Sequence, residues 1–221
     1  AQAASKAPKS LSVKVTTKTV DIKGKSTISV KSVKPANASK AVIYKSSNKK
    51  IATVSSKGVV TGKKAGKVNI TVISKKNKKV KKVVKITVKN LKPSSVKVTA
   101  AKATVVVGKT NTLKATVKPA GVYCPVKWTS RNKAVATVSS NGKVTAKKAG
   151  TATITVKATQ KNSKGKYLSA TCKVTVVDFA TATTTQVKEY AKSASDNKVL
   201  VDARLTDAYH GWALDGVSKG G

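Results

Sequence analysis

Residues 126–156 read VKWTSRNKAVATVSSNGKVTAKKAGTATITV, and residues 42–72 read VIYKSSNKKIATVSSKGVVTGKKAGKVNITV. The two stretches align without a gap at a constant offset of 84. That offset also carries Gly24-Lys25 onto Gly108-Lys109 and Lys34-Pro35-Ala36 onto Lys118-Pro119-Ala120, so the repeating unit is wider than its best-matched part. A period this long, met only twice, predicts two whole domains in series rather than turns of a solenoid.

Each copy reads as all-β. Apolar residues alternate with Lys, Thr or Ser in Val13-Lys-Val15, Ile86-Thr-Val88, Val96-Lys-Val98, Ile154-Thr-Val156 and Val174-Thr-Val176, the pattern of strands with one dry face. Such runs break at short intervals at Gly, Asn, Ser or Pro, as in a sandwich or small barrel. No helical pattern appears before about residue 184. Gly58 and Gly142 follow Ser-Ser-Lys and Ser-Ser-Asn between strand-like runs, where a tight turn needs a residue tolerant of positive φ.

The order Trp128-Thr-Ser-Arg-Asn-Lys followed by Ala-Thr-Val-Ser-Ser-Asn-Gly142 and Lys-Lys-Ala-Gly150 resembles the signature of group 2 bacterial immunoglobulin-like domains, and it occurs twice. Tyr44 stands where that family often has Trp, and Ile28 and Val30 alternate out of step with Leu113, Ala115 and Val117. The resemblance implies compact immunoglobulin-like β-sandwiches, usually extracellular and serving as stalk or adhesive modules. The expected organisation is a leader at 1–9, one sandwich at 10–90, a second at 91–178 and a different segment at 179–221, with the first passage stiffened by Pro93.

Charge is distributed unevenly. The chain has 46 Lys and Arg against 7 Asp and Glu, a formal net charge of +39. Residues 1–178 contain only Asp21 and Asp178 as acids, while 179–221 hold five acids and five bases, so all of the net charge sits on the β repeats. Only Arg131 and Arg204 are arginines, which leaves strongly hydrated point charges rather than planar forks. Two readings stand side by side: an ordinary solvated face, or attachment to an anionic cell-wall polymer, acidic glycan or extracellular nucleic acid. Sequence-specific nucleic-acid recognition is disfavoured, because no helix is offered to a groove and no aromatic ladder to bases.

The shortage of acids excludes several chemistries. Interdomain calcium needs several carboxylate oxygens, and a glycosidase needs a carboxylate pair. A Lys-to-Asn isopeptide cross-link needs a carboxyl catalyst that the second repeat lacks. With His210 the only histidine, no Ser-His-Asp arrangement fits within the repeats. No catalytic, cofactor or metal site is expected there. Cys124 and Cys172 both alternate in phase with core positions of the second copy, while Lys40 and Val84 stand in their places in the first. One reading is a disulfide closing over 47 intervening residues, a stabilisation of about 4 kcal/mol by loop entropy. The other is two buried thiols acting as small hydrophobes.

Ala1-Gln-Ala-Ala-Ser-Lys has no initiator Met and carries small residues typical after a cleaved leader, so an exported chain, extracellular or on the surface of a Gram-positive bacterium, is expected. No apolar run reaches spanning length. After Asp178, Thr185 opens a short amphipathic helical pattern, and Lys198-Val-Leu-Val-Asp202-Ala-Arg204 reads as a buried parallel strand. With Asp207 to Trp212 behind it, this α/β stub resembles the start of a rhodanese-type sulfurtransferase domain. The resemblance implies a structural strand-end role for Asp202 and Arg204; an ordinary salt bridge is the alternative. The chain holds no downstream cysteine loop of the kind that carries sulfur in that family, so a truncation of a longer exported protein is expected.

Three functions follow as expectations: a monomeric, non-catalytic surface spacer or adhesive module with affinity for anionic envelope polymers, an accessory region of a sulfurtransferase, or a pure polyanion-binding protein.

Overall fold

The computed structural model describes residues 5–178, and every regular element among them is a β-strand. They form two compact units. The first holds the described residues up to Ser94 together with Val117–Cys124, and the second holds Ser95–Thr116 and the described residues from Pro125 onward.

In the first unit, β1 (Ser10–Val15), β2 (Thr19–Val20), β3 (Lys25–Lys34), β4 (Val42–Ser46), β5 (Ala52–Val54), β6 (Val59–Gly62), β7 (Gly66–Ser74) and β8 (Lys81–Val88) make two four-stranded sheets. Their orders are β1-β3-β6-β5 and β2-β8-β7-β4. The opening segment serves both sheets: β1 runs antiparallel to β3, and β2 then runs parallel to β8. Between them Thr17 donates its N–H to Ser26 Oγ at 3.1 Å, and that hydroxyl donates to the Thr17 carbonyl at 2.6 Å. Ser26 is buried, and this exchange supplies the hydrogen bonds a dry hydroxyl requires. The core lies where inner faces alternate, with Val68, Ile70 and Val72 of β7 against Val84, Ile86 and Val88 of β8.

The second unit repeats the plan with β9 (Ser95–Val98), β10 (Lys102–Val106), β11 (Thr110–Thr112), β12 (Ala115–Lys118, its last two residues falling in the first unit), β13 (Val126–Ser130), β14 (Ala136–Val138), β15 (Lys143–Ala146), β16 (Gly150–Lys161) and β17 (Tyr167–Val177). Its sheets are β10-β17-β16-β13 and β11-β15-β14, with β12 paired to β9. Again β10 is parallel to β17 while the remaining registers of that sheet are antiparallel. The chain is thus a pair of all-β, immunoglobulin-like sandwiches.

Identical sequence builds identical corners. Ser46 Oγ donates to the Ala52 carbonyl at 2.6 Å, and Ser130 Oγ donates to that of Ala136 at 2.6 Å. Gly58 and Gly142 have φ of 81° and 84°, as the turn reading expects. The carbonyls of these glycines accept the N–H groups of Ile28 and Leu113, both at 2.8 Å. Tyr44 and Trp128 lie against the two glycines, which explains why the aromatic and the glycine occur together in each copy.

The out-of-step strand also has a physical cause. Ile28 and Leu113 occupy the same structural position despite an offset of 85, because each bonds to the corresponding turn glycine. In the first unit the extra residue is absorbed at Lys31: Ser12 pairs with Ser32, but Val13 pairs with Val30. One residue of β3 is bulged out of the ladder, and the alternation changes phase there. Pro35 and Pro119, both preceded by cis peptide bonds, regain the common offset of 84.

Candidate binding surface

The sequence nominated two cysteines, two residues of the C-terminal segment and the lysine coat. Asp202 and Arg204 lie outside the described residues. Cys172 sits on β17, fully buried, and burial pushes its thiol up to about 11. Cys124 is only half-buried and precedes β13, separated from it by Pro125, so the expectation that both face the interior fails for Cys124.

The strand registers bear on the disulfide reading. Cys172 is opposite Ile154, which is opposite Ser130, whereas the strand after Cys124 starts at Val126. Four residues along and two strands across separate Val126 from Cys172 by about 16 Å. The two Cα-to-Cα steps from Val126 back to Cys124 are too short to close that gap to the roughly 4.4–6.8 Å of a bridged pair.

Asp21, the sole acid of the first copy, is turned inward and buried. Its carboxylate accepts the N–H of Leu91 at 3.2 Å and the N–H of Tyr123 at 3.0 Å, and its own N–H donates to Gly121 at 2.9 Å. It is therefore committed to the backbone of the first unit. Sequence reading missed this role because the partners lie 70 and 102 residues away. Lys23 Nζ sits 5.6 Å from the Tyr123 ring centroid beside it, a cation–π contact.

Of the basic residues described, none is buried, and only Lys109 is half-covered. Strand pairing places many of them in rows. On the outer face of the β10-β17-β16-β13 sheet, Lys127, Lys157 and Ser169 are successive partners. The next row is Thr129, Thr155 and Thr171. After it come Thr153, Lys173 and Lys102, then Thr151, Thr175 and Thr104. These positions are exposed or half-buried, while their neighbours along the strands, such as Ile154, Val156 and Val174, are buried. Strands about 4.8 Å apart and rows about 6.7 Å apart make a regular grid of hydroxyls and ammonium groups.

Two lysine pairs, Lys127 with Lys157 and Lys102 with Lys173, stand directly across from each other, and no position of the four rows is an acid. Like charges in this relation repel, by well under 1 kcal/mol at about 7 Å in water, and a shared anion turns the repulsion into attraction. At the end of the face Lys157 and Lys161 Nζ lie 5.3 and 5.6 Å from the exposed Tyr167 ring centroid. In the first unit the equivalent face differs: Ile43, Ile73 and Val83 interrupt Lys45, Lys67, Lys81 and Lys85, and Val83 is 54% exposed. Among the described residues no group of three or more His, Cys, Asp or Glu is placed to hold a metal ion, and no helix is long and apolar enough to cross a membrane.

Among solved structures, the surface layer protein SbsC, domains 1–6, matches at 22% identity over 77% of this chain and 28% of its own, with a TM-score of 0.35. SbsC domains 4 and 5 match at 22% identity over 76% of this chain and 99% of theirs, with a TM-score of 0.34. The C-terminal 282-residue fragment of intimin, in complex with the intimin-binding domain of its translocated receptor, matches at 19% over 75% of this chain and 64% of its own, with a TM-score of 0.30. The chain thus spans 28% of the length of the first of these. No curated protein matches. The model of the bacterial Ig-like domain (group 2) matches residues 8–84 and again 94–170, more than half of the chain. The protein therefore belongs to the group 2 bacterial Ig-like family, carrying two copies of its domain in tandem.

Proposed function

We propose that the chain is a non-catalytic module of a Gram-positive cell surface, a monomeric spacer or adhesive element with affinity for anionic envelope polymers. The observation that carries this is the placement of charge. The net charge of +39 stands on exposed lysines, while the one acid inside the first copy is used up by backbone N–H groups. Point charges on flexible stems suit a polyanion of loose sequence, and the outer sheet faces offer room for one.

The test is retention of the 221-residue chain on immobilised glycerol-phosphate teichoic acid across a salt series. Affinity is expected to fall linearly with log salt, and near 1 M, where the screening length is about 3 Å, retention should vanish. Retention that is absent at low salt, or unchanged at high salt, removes the reading. A second reading, an accessory region of an exported rhodanese-like sulfurtransferase, rests on Asp202-Ala-Arg204 and its surroundings in sequence alone. Thiosulfate-to-cyanide sulfur transfer by the full-length gene product tests it.

A further inference from the structure

Resting on the polymer affinity proposed above, we infer that the outer face of the β10-β17-β16-β13 sheet is the principal binding site, and that its ligand is a phosphodiester-linked polyol chain lying diagonally across the grid. The two lysine pairs occupy opposite corners: Lys127 and Lys157 on β13 and β16, Lys173 and Lys102 on β17 and β10 two rows further on. Two rows along and two strands across put the centres of the pairs about 16 Å apart.

The midpoint of that diagonal falls between Thr155 and Thr171, which are cross-strand partners. A polymer with six backbone bonds from one phosphorus to the next, as many as two peptide residues have, extends by about 7 Å per repeat. Three successive phosphates thus reach from one lysine pair, past the threonines, to the other, and the flexible lysine stems take up the remaining 2 Å or so. Each outer phosphate neutralises a pair of ammonium groups that otherwise repel, and the middle one meets the hydroxyl of the exposed Thr171, able to donate to it or to a polyol oxygen. The corresponding face of the first unit lacks this arrangement, because Ile43, Ile73 and Val83 sit among its lysines.

The experiment uses the whole chain, soluble glycerol-phosphate teichoic acid as probe, and two variants of equal charge. K102Q/K127Q/K157Q/K173Q removes the grid lysines, and K45Q/K67Q/K81Q/K85Q removes four from the first unit's outer face. With about 0.7 counterions released per contact, losing four contacts lowers affinity at 0.15 M salt on the order of 100-fold. The grid variant is expected to show that loss and the other less than tenfold, with unfolding midpoints near wild type in both. Thr171→Val, which changes no charge, is expected to weaken binding by about threefold to tenfold, the loss of one hydrogen bond. Equal losses in the two lysine variants, or unchanged affinity of Thr171→Val, overturn this site while leaving a diffuse polyanion affinity standing. No binding by the wild-type chain removes the broader reading as well.

Discussion

Replacing Gly142 by Ala separates two costs that usually arrive together. The residue sits at φ +84°, and a Cβ there is driven into the Leu113 carbonyl oxygen and to 3.1 Å from two atoms of the Trp128 ring. An L-residue in the left-handed region costs about 1–2 kcal/mol. Forcing apart a backbone oxygen and a buried indole adds roughly 1–3 kcal/mol, as overpacking does elsewhere. The protein supplies its own control: Gly108, in the same unit, has φ +80° and nothing within 4 Å of its Cβ position. Gly108→Ala therefore carries the backbone term alone.

For a domain of this size 1 kcal/mol moves the midpoint by about 4–8 °C, so Gly142→Ala is expected to unfold roughly 8–40 °C early and Gly108→Ala roughly 4–16 °C early, the overpacking setting them apart by about 4–24 °C. Differential scanning calorimetry on both variants, at matched concentration and scan rate, reads the difference. Midpoints for the two that agree within about 3 °C would refute the claim that the glycine exists to admit the aromatic. Gly58→Ala, which meets Ile28 and Tyr44 in the first unit, should behave like Gly142→Ala.

Three further outcomes are expected. Thr155 keeps its Oγ1 buried and without a hydrogen-bond partner, so Thr155→Val should raise unfolding stability by about 1 kcal/mol in urea titrations. Burial holds the Cys172 thiol protonated up to about pH 11, and the thiolate is the nucleophile. At pH 8, iodoacetamide followed by mass spectrometry should therefore spare Cys172, with its labelling rising as pH approaches 11 or on unfolding. Asp21→Ala leaves the N–H groups of Leu91 and Tyr123 without their acceptor and should cost about 2–4 kcal/mol, with Asp21→Asn, which keeps one oxygen, falling between; equal stability of all three proteins in denaturant would contradict it.

What the sequence made legible is what depends on nearest neighbours in the chain. The alternation of Ile154-Thr-Val156 and Val174-Thr-Val176 showed which face is dry, and Ser-Ser-Asn-Gly142 showed where the chain must turn left-handed. Alternation misled at Cys124, where the in-phase spacing continues past the start of β13 into a segment that is not strand. The slip at Ile28 was visible, but the bulge at Lys31 that causes it follows from the partner strand, which the order of residues does not display. The hydroxyl and lysine grid is of the same kind. Its rows join residues 127, 157 and 169, whose adjacency is created by register alone.

The parallel pairing of the second strand with the last in each unit has a mechanical consequence. Because β10 and β17 run in the same direction side by side, tension applied at the two ends of the unit slides one strand along the other, and the bonds across the Lys102 to Val106 register share the load at once. An antiparallel hairpin pulled at its open end would yield one bond at a time. The corresponding seam in the first unit, Thr19 and Val20 against Thr87 and Val88, is only two residues long, so under equal tension it is expected to part at a lower force than the seam of the second unit.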